Sequence, residues 1–182
     1  MKVTRLDLGG IIAPFSDRDI SETIQPIGEA SNLRRTINGR LISVSNPNYK
    51  KYRVSVTGKD IHVPAFDGIW PGEALEVVPA ASMSYHAKRP SGGFLTAPGV
   101  HPDAVEVIVN RQIGAPEIEA YDAGGQPLEI FQYMNNRIWV ENCVSDIYIN
   151  YRPLLSVVVE NWTFDENERT ANMNWSLQLI EN

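Results

Sequence analysis

The chain has 182 residues, 43% hydrophobic and 21% charged, with a formal net charge of −6, a balance that describes a chain with a core and argues against nucleic-acid binding by its surface as a whole. Its single cysteine, Cys143, excludes an intramolecular disulfide and a cysteine zinc cluster, and its apolar neighbourhood reads as that of an inert buried thiol. No apolar run reaches the roughly 20 residues of a membrane-spanning helix, and residues 1–7 lack the apolar core of a signal peptide, so a soluble protein made in a reducing cytosol is expected.

Residues 3–8 form a candidate strand stopped by Gly9 and Gly10. Residues 20–27 also read as extended, but Pro26 removes a ladder donor and assigns them to an edge or an arm. Residues 1–27 are therefore expected as an extended N-terminal arm that can lie across a neighbouring subunit. Asn38-Gly39 predicts a two-residue type I′ hairpin turn, which pairs Ile37 with Arg40, Thr36 with Leu41 and Arg35 with Ile42. Arg34, Arg35 and Arg40 give this hairpin a basic strip. A solvated edge blunted by charge explains such a strip; contact with phosphate or an acidic partner is the functional alternative.

Residues 51–57 alternate as a one-faced strand ended by Gly58-Lys59-Asp60. Residues 61–72 are rich in turn formers, yet Phe66, Ile69 and Trp70 are too apolar for a free loop, so the loop folds back on the core or forms a contact surface. Strands are expected at 74–79 and 82–86. Residues 88–102 concentrate proline and glycine and suggest a mobile loop or a boundary. Further strands are expected at 105–109, 117–121, 128–134, 137–141 and 146–151, with Asn135-Asn136 as a tight turn.

The last hairpin is the clearest. Ala171, Met173, Trp175, Leu177 and Leu179 alternate with Asn172, Asn174, Ser176 and Gln178, the pattern of a strand with one buried and one wet face. Its partner is expected over 154–164 with a loop at 165–169, and Trp162 is expected to oppose Trp175 in the core. Nowhere do apolar residues recur at helical spacing for three turns. The expected fold is all-β: a β-sandwich or partly open barrel of short antiparallel strands, forming a single domain over 28–182.

No arrangement commits to catalysis. His62, His86 and His101 stand far apart in sequence without metal-ligand spacing. Asp7, Asp17 and Asp19 lack the spacing of a calcium loop. Glu117 and Glu119 share a strand face, but no second carboxylate pair supports glycoside hydrolysis. No catalytic residue, metal or cofactor is expected. Of the four tryptophans, Trp162 and Trp175 read as core, and Trp70 is the candidate for surface recognition, with core or subunit interface as its competing roles.

Several motifs occur together. Residues 6–16 read LDLGGIIAPFS, residues 27–39 read IGEASNLRRTING, and residues 67–72 read DGIWPG. Tyr52-Arg53, Tyr151-Arg152-Pro153-Leu154 and the terminal NMNWSL of residues 172–177 complete the set. Together they resemble a family of small virion proteins of tailed bacteriophages, from the tail and baseplate region. The resemblance covers residues 1–90 and 150–180; residues 101–149 depart from it and read as a β-rich insertion. It implies a non-enzymatic structural subunit of a tail, neck or baseplate, assembled in the bacterial cytoplasm and resident in the virion. Its partners would be copies of itself and other virion structural proteins, joined through Leu6, Leu8, Ile11, Ile12 and Phe15 of the arm and Phe66, Ile69 and Trp70 of the loop. The alternative is a carbohydrate- or receptor-binding β-sandwich that meets a surface glycan through Trp70.

Overall fold

A computed structural model describes residues 5–13, 16–27, 33–43, 50–94, 96–97, 99–167 and 172–182. The fold is all-β as expected, with no α-helix among these residues. The chain divides into two compact units, one of Met1–Glu76 with Ser156–Asn182 and one of Val77–Leu155. The second unit thus extends beyond residues 101–149 on both sides.

The first unit is built on a five-stranded sheet curled into a half-barrel. In chain order its strands are β1 (Ser21–Pro26), β4 (Tyr52–Asp60), β5 (Ala74–Val77), β12 (Leu155–Asn167) and β13 (Asn172–Glu181), and across the sheet they run β1-β4-β13-β12-β5. β13 is therefore central. Trp175, Leu177 and Leu179 are buried on one face, opposite Gly58, Val56 and Val54 of β4, while Asn174 and Gln178 face solvent. Period-two alternation directs this: one face supplies apolar area and the other stays hydrated. Met173, expected in the same stripe, is half-buried.

Three boundaries differ from expectation. β4 does not stop at Gly58 but runs to Asp60, because Gly58 is where the indole of Trp175 lies against the backbone; a Cβ there would fall 2.7 Å from the Trp175 Nε1. Asp60, buried at the strand's end, accepts hydrogen bonds from the Arg18 and Ile61 backbone N–H groups at 3.1 and 2.7 Å. β12 runs on to Asn167, with Asp165 and Glu166 paired to Asn174 and Met173, so the polar residues expected as loop are held by cross-strand hydrogen bonds rather than burial. A register shift between Val159 and Asn161 places Trp162 opposite Leu177 and Phe164 opposite Trp175, which corrects the expected Trp162–Trp175 pair.

The segment expected as an arm is part of this unit. β1 pairs with β4 from Ser21 to Pro26, at the edge that proline tolerates. Leu6, Leu8 and Ile11 are buried, and no strand forms at residues 5–8, where Asp7 makes an isolated bridge. Among the described residues β2 (Leu33–Arg35) and β3 (Leu41–Ser43) pair only with each other.

In the second unit, β7 (Ala104–Ile108), β9 (Ile130–Met134) and β10 (Arg137–Glu141) form one sheet in the order β7-β10-β9. β6 (Met83–Ala87), β8 (Glu119–Asp122) and β11 (Ile147–Tyr151) form another in the order β6-β11-β8. Val105, Val107, Ile138 and Val140 of the first pack with Ile147, Ile149, Ala120 and Ala87 of the second in a single core, as in a small sandwich. The expected turn at Asn135-Asn136 joins Met134 to Arg137, with Asn135 at φ 56°.

Replacing the buried ring in Trp175→Ala is expected to cost about 3–5 kcal/mol. Gly58→Ala is expected to cost about 1–3 kcal/mol by overpacking the same contact. Urea unfolding of both variants measures this, and a cost under ~1 kcal/mol for Trp175→Ala would be incompatible with a buried ring.

Candidate functional site

The loop after β4 is drawn onto the sheet by aromatic packing. Phe66, in a 3-10 turn over Phe66–Gly68, stacks on Trp162 at 5.2 Å between centroids and meets Trp175 edge-on at 5.9 Å. Such pairs add to the area they bury because ring edges and faces carry opposite partial charge. Trp162 donates its indole N–H to the Ile69 carbonyl at 3.2 Å, which fixes the loop's far end. Trp70 meets Trp162 edge to face at 6.4 Å between centroids, and Phe164 stacks on Trp162 at 5.9 Å. The result is an aromatic ridge that is buried at Phe66 and open at Trp70 and Phe164, which are 67% and 51% exposed.

The expected contact residues are therefore divided. Leu6, Leu8, Ile11, Phe66 and Ile69 are buried within the chain; Ile12 is half-buried. Phe15 lies outside the described residues. Trp70 remains a surface residue. Phe164 joins it, a residue the sequence reading assigned to a strand without a role; the register shift in β12 is what brings it opposite Trp175.

Arg34, Arg35 and Arg40 are exposed on the β2–β3 hairpin, together with Ile37, Leu41 and Ile42. The register differs by one residue from expectation: Arg35 faces Leu41 and Arg34 faces Ile42. Thr36 N–H donates to the Arg40 carbonyl at 2.9 Å and Gly39 N–H to the Thr36 carbonyl at 2.8 Å, closing a three-residue loop, Ile37-Asn38-Gly39. Only Gly39 takes positive φ, at 76°, so the two positive-φ residues of a type I′ turn are not needed. In this register each face mixes a cation with an apolar side chain, and neither face can form a core.

On the solvent face of the five-stranded sheet lies an open cleft of about 440 Å³. Lys59, Asn174 and Asp165 form one row of its floor, and Thr57, Ser176 and Thr163 the next, with Asp19 also lining it. The hydroxyls of Thr163 and Ser176 lie 2.7 Å apart, and Asp19 has φ 46°, unusual for a residue with a side chain.

The titratable groups of the second unit have structural partners. His86 Nε2 lies 2.9 Å from Asp146 Oδ2 and its ring stacks on Tyr148 at 4.7 Å; His101 stacks on Phe131 at 4.1 Å. Glu117 accepts from the buried Arg152 at 2.9 Å, and Arg152 also donates to the Pro79 carbonyl at 2.7 Å. Glu119 accepts from the Tyr121 hydroxyl at 3.1 Å and pushes its pKa up by that hydrogen bond. The two glutamates thus face different partners. Cys143 is half-buried, with its thiol 3.3 Å from the Ser145 carbonyl. Among the described residues no group of three or more His, Cys, Asp or Glu side chains could hold a metal ion.

Comparison with protein-family models, curated proteins and solved structures finds no match to this chain.

Two outcomes test this geometry. Phe66→Ala is expected to destabilise by about 3–5 kcal/mol, whereas Trp70→Ala removes only a half-solvated edge contact worth about 0.5–1.5 kcal/mol; chemical denaturation separates them. Asp146 is held below the usual carboxylate range, first by the Arg89 backbone N–H and then by His86. Its folded-state pKa is depressed, so its contribution is present above the unfolded value of about 4 and is lost as pH falls through the folded one. Asp146→Asn should therefore flatten the acid limb of a stability–pH curve and leave the limb above pH ~7 unchanged in shape.

Proposed function

We propose that this chain is a structural subunit of a bacteriophage virion, from the tail, neck or baseplate, and that it acts by multi-copy protein–protein assembly. The observation that carries the reading is the β2–β3 hairpin. Among the described residues it pairs with no other sheet, and it leaves Ile37 fully exposed, with Leu41 and Ile42 at 55% and 41%. A lone two-stranded hairpin is marginal in water. Exposed β-branched and aliphatic side chains on such a hairpin suit an element that completes its packing against another chain. The motif set of residues 6–16, 27–39 and 67–72, which resembles small phage virion proteins, supplies the identity of the assembly.

A second reading, a saccharide-binding module, is favoured by Trp70 and by the cleft of Asp19, Lys59, Asp165 and Asn174, whose carboxylates, ammonium and amide suit sugar hydroxyls. A glycan array with wild type and Trp70→Ala decides it: no glycan retained by wild type removes that reading.

For the assembly reading, Ile37→Asp with Leu41→Asp should change unfolding free energy by no more than about 0.5 kcal/mol per site, because both side chains are exposed. The same variant should be missing from purified particles produced by complementation, measured by mass spectrometry. Its presence at wild-type copy number would refute the hairpin's role, and absence of the wild-type chain from particles would refute the virion reading itself.

A further inference from the structure

Charge is segregated along this chain. Residues 33–43 contain three arginines and no acidic residue, a charge of +3; removing that from the whole-chain −6 leaves −9 for everything else. The hairpin is thus a basic, apolar element on an acidic body. Its complement should pair an exposed apolar side chain with adjacent carboxylates. Among the described large hydrophobics that are exposed, Phe164 has this setting: Glu166, two residues on, shares its face of β12 and is exposed, while Asp165 lies on the opposite face. Trp70 extends the same ridge through Trp162.

We infer that the β2–β3 hairpin of one copy docks on the Phe164-Asp165-Glu166 end of β12 in a second copy. This rests on the assembly reading and names its partner. Arg35 meets the Glu166 carboxylate, while Leu41, its cross-strand neighbour on the same face, covers Phe164 together with Ile37 of the loop. Different patches meet, so the contact is heterologous: each copy keeps one free hairpin and one free β12 end, and association proceeds to a ring or an open array rather than stopping at a dimer. Charge complementarity of this kind raises the association rate and is weakened by salt, since the screening length falls from about 10 Å at 0.1 M to about 3 Å at 1 M.

The test is sedimentation of the full chain at low and high salt, using two charge-reversed variants. Wild type should form species larger than a dimer with rising concentration, and high salt should shift this toward monomer. Arg35→Glu reverses the docking face of the hairpin, and Glu166→Lys reverses the β12 end. Each variant alone should associate at least about 100-fold more weakly, because like charges then face each other at a cost of several kcal/mol. Mixed in equal amounts they should recover association, since each hairpin then finds an oppositely charged end. Circular dichroism of each variant checks that the fold is kept, and recovery on mixing requires it. A wild type that stays monomeric, or single variants that associate as wild type does, or a mixture that fails to recover, overturns the inference. A wild type that is monomeric yet present in particles overturns it while leaving the virion reading intact.

Discussion

The first unit depends on one contact, the Trp175 indole lying flat against the Gly58 backbone. β13 is the middle strand of five, so the buried ring sits on the strand that both halves of the sheet share. The contact has a cost. Trp175 Nε1 is buried without a hydrogen-bond partner, a penalty of about 1–3 kcal/mol. Packing offsets it: Phe66 meets the ring edge-on, and Phe66 in turn stacks on Trp162. The loop from Ile61 to Gly72 is therefore not an independent element. It is the lid of this aromatic cluster, and Trp70 is exposed because the cluster ends there.

The second unit solves the same problem with smaller side chains. Two sheets of three strands each bury valine and isoleucine against one another, and no aromatic lid is needed. Among its described residues the costly buried group is Arg152, which is 5% exposed. A cation so placed must be paired or the unit would lose several kcal/mol. Glu117 and the Pro79 carbonyl supply partners from two segments distant in sequence, so Arg152 ties together stretches that share no strand pairing with each other. This also removes Glu117 from any catalytic pair with Glu119.

What could be read from residues alone follows from which signals are local. Alternation along β13 reports the burial of Trp175, Leu177 and Leu179 because strand periodicity is a property of the backbone. The turn at Asn135-Asn136 was legible for the same reason. Strand ends were less legible: β4 passes through Gly58 because of a tryptophan over a hundred residues away, and β12 passes through Asp165 because its partner strand continues. The Asn38-Gly39 turn shows the limit of a dipeptide signal. Both turn types accept glycine as the last loop residue, and a one-residue change in loop length moves every pairing in the hairpin. Burial of Leu6, Leu8 and Ile11 was invisible, since short apolar runs between glycines look alike in an arm and in a domain. Arg152 and Phe164 were missed because their importance is set wholly by tertiary neighbours.

These facts bear on function through what is left exposed. Edge strands in this chain are mostly protected: β1 has Pro26, β7 has Glu106, β8 has Glu119 and Asp122, and each breaks an uncharged edge. The β2–β3 hairpin is the exception in kind. Its register mixes arginine and aliphatic side chains on both faces, so neither face can fold onto an apolar core without burying a cation, and neither is wholly content in water. A surface that is both apolar and cationic is matched by one that is apolar and anionic, and the end of β12 carries one at Phe164-Asp165-Glu166, with Phe164 and Glu166 on one face and Asp165 on the other. The same cross-strand pairing that lengthens β12 past its buried residues holds those three side chains in a defined strand register. Stability and display are thus assigned to different parts of one strand: β12 packs from Val157 to Val159 and presents its chemistry beyond Trp162.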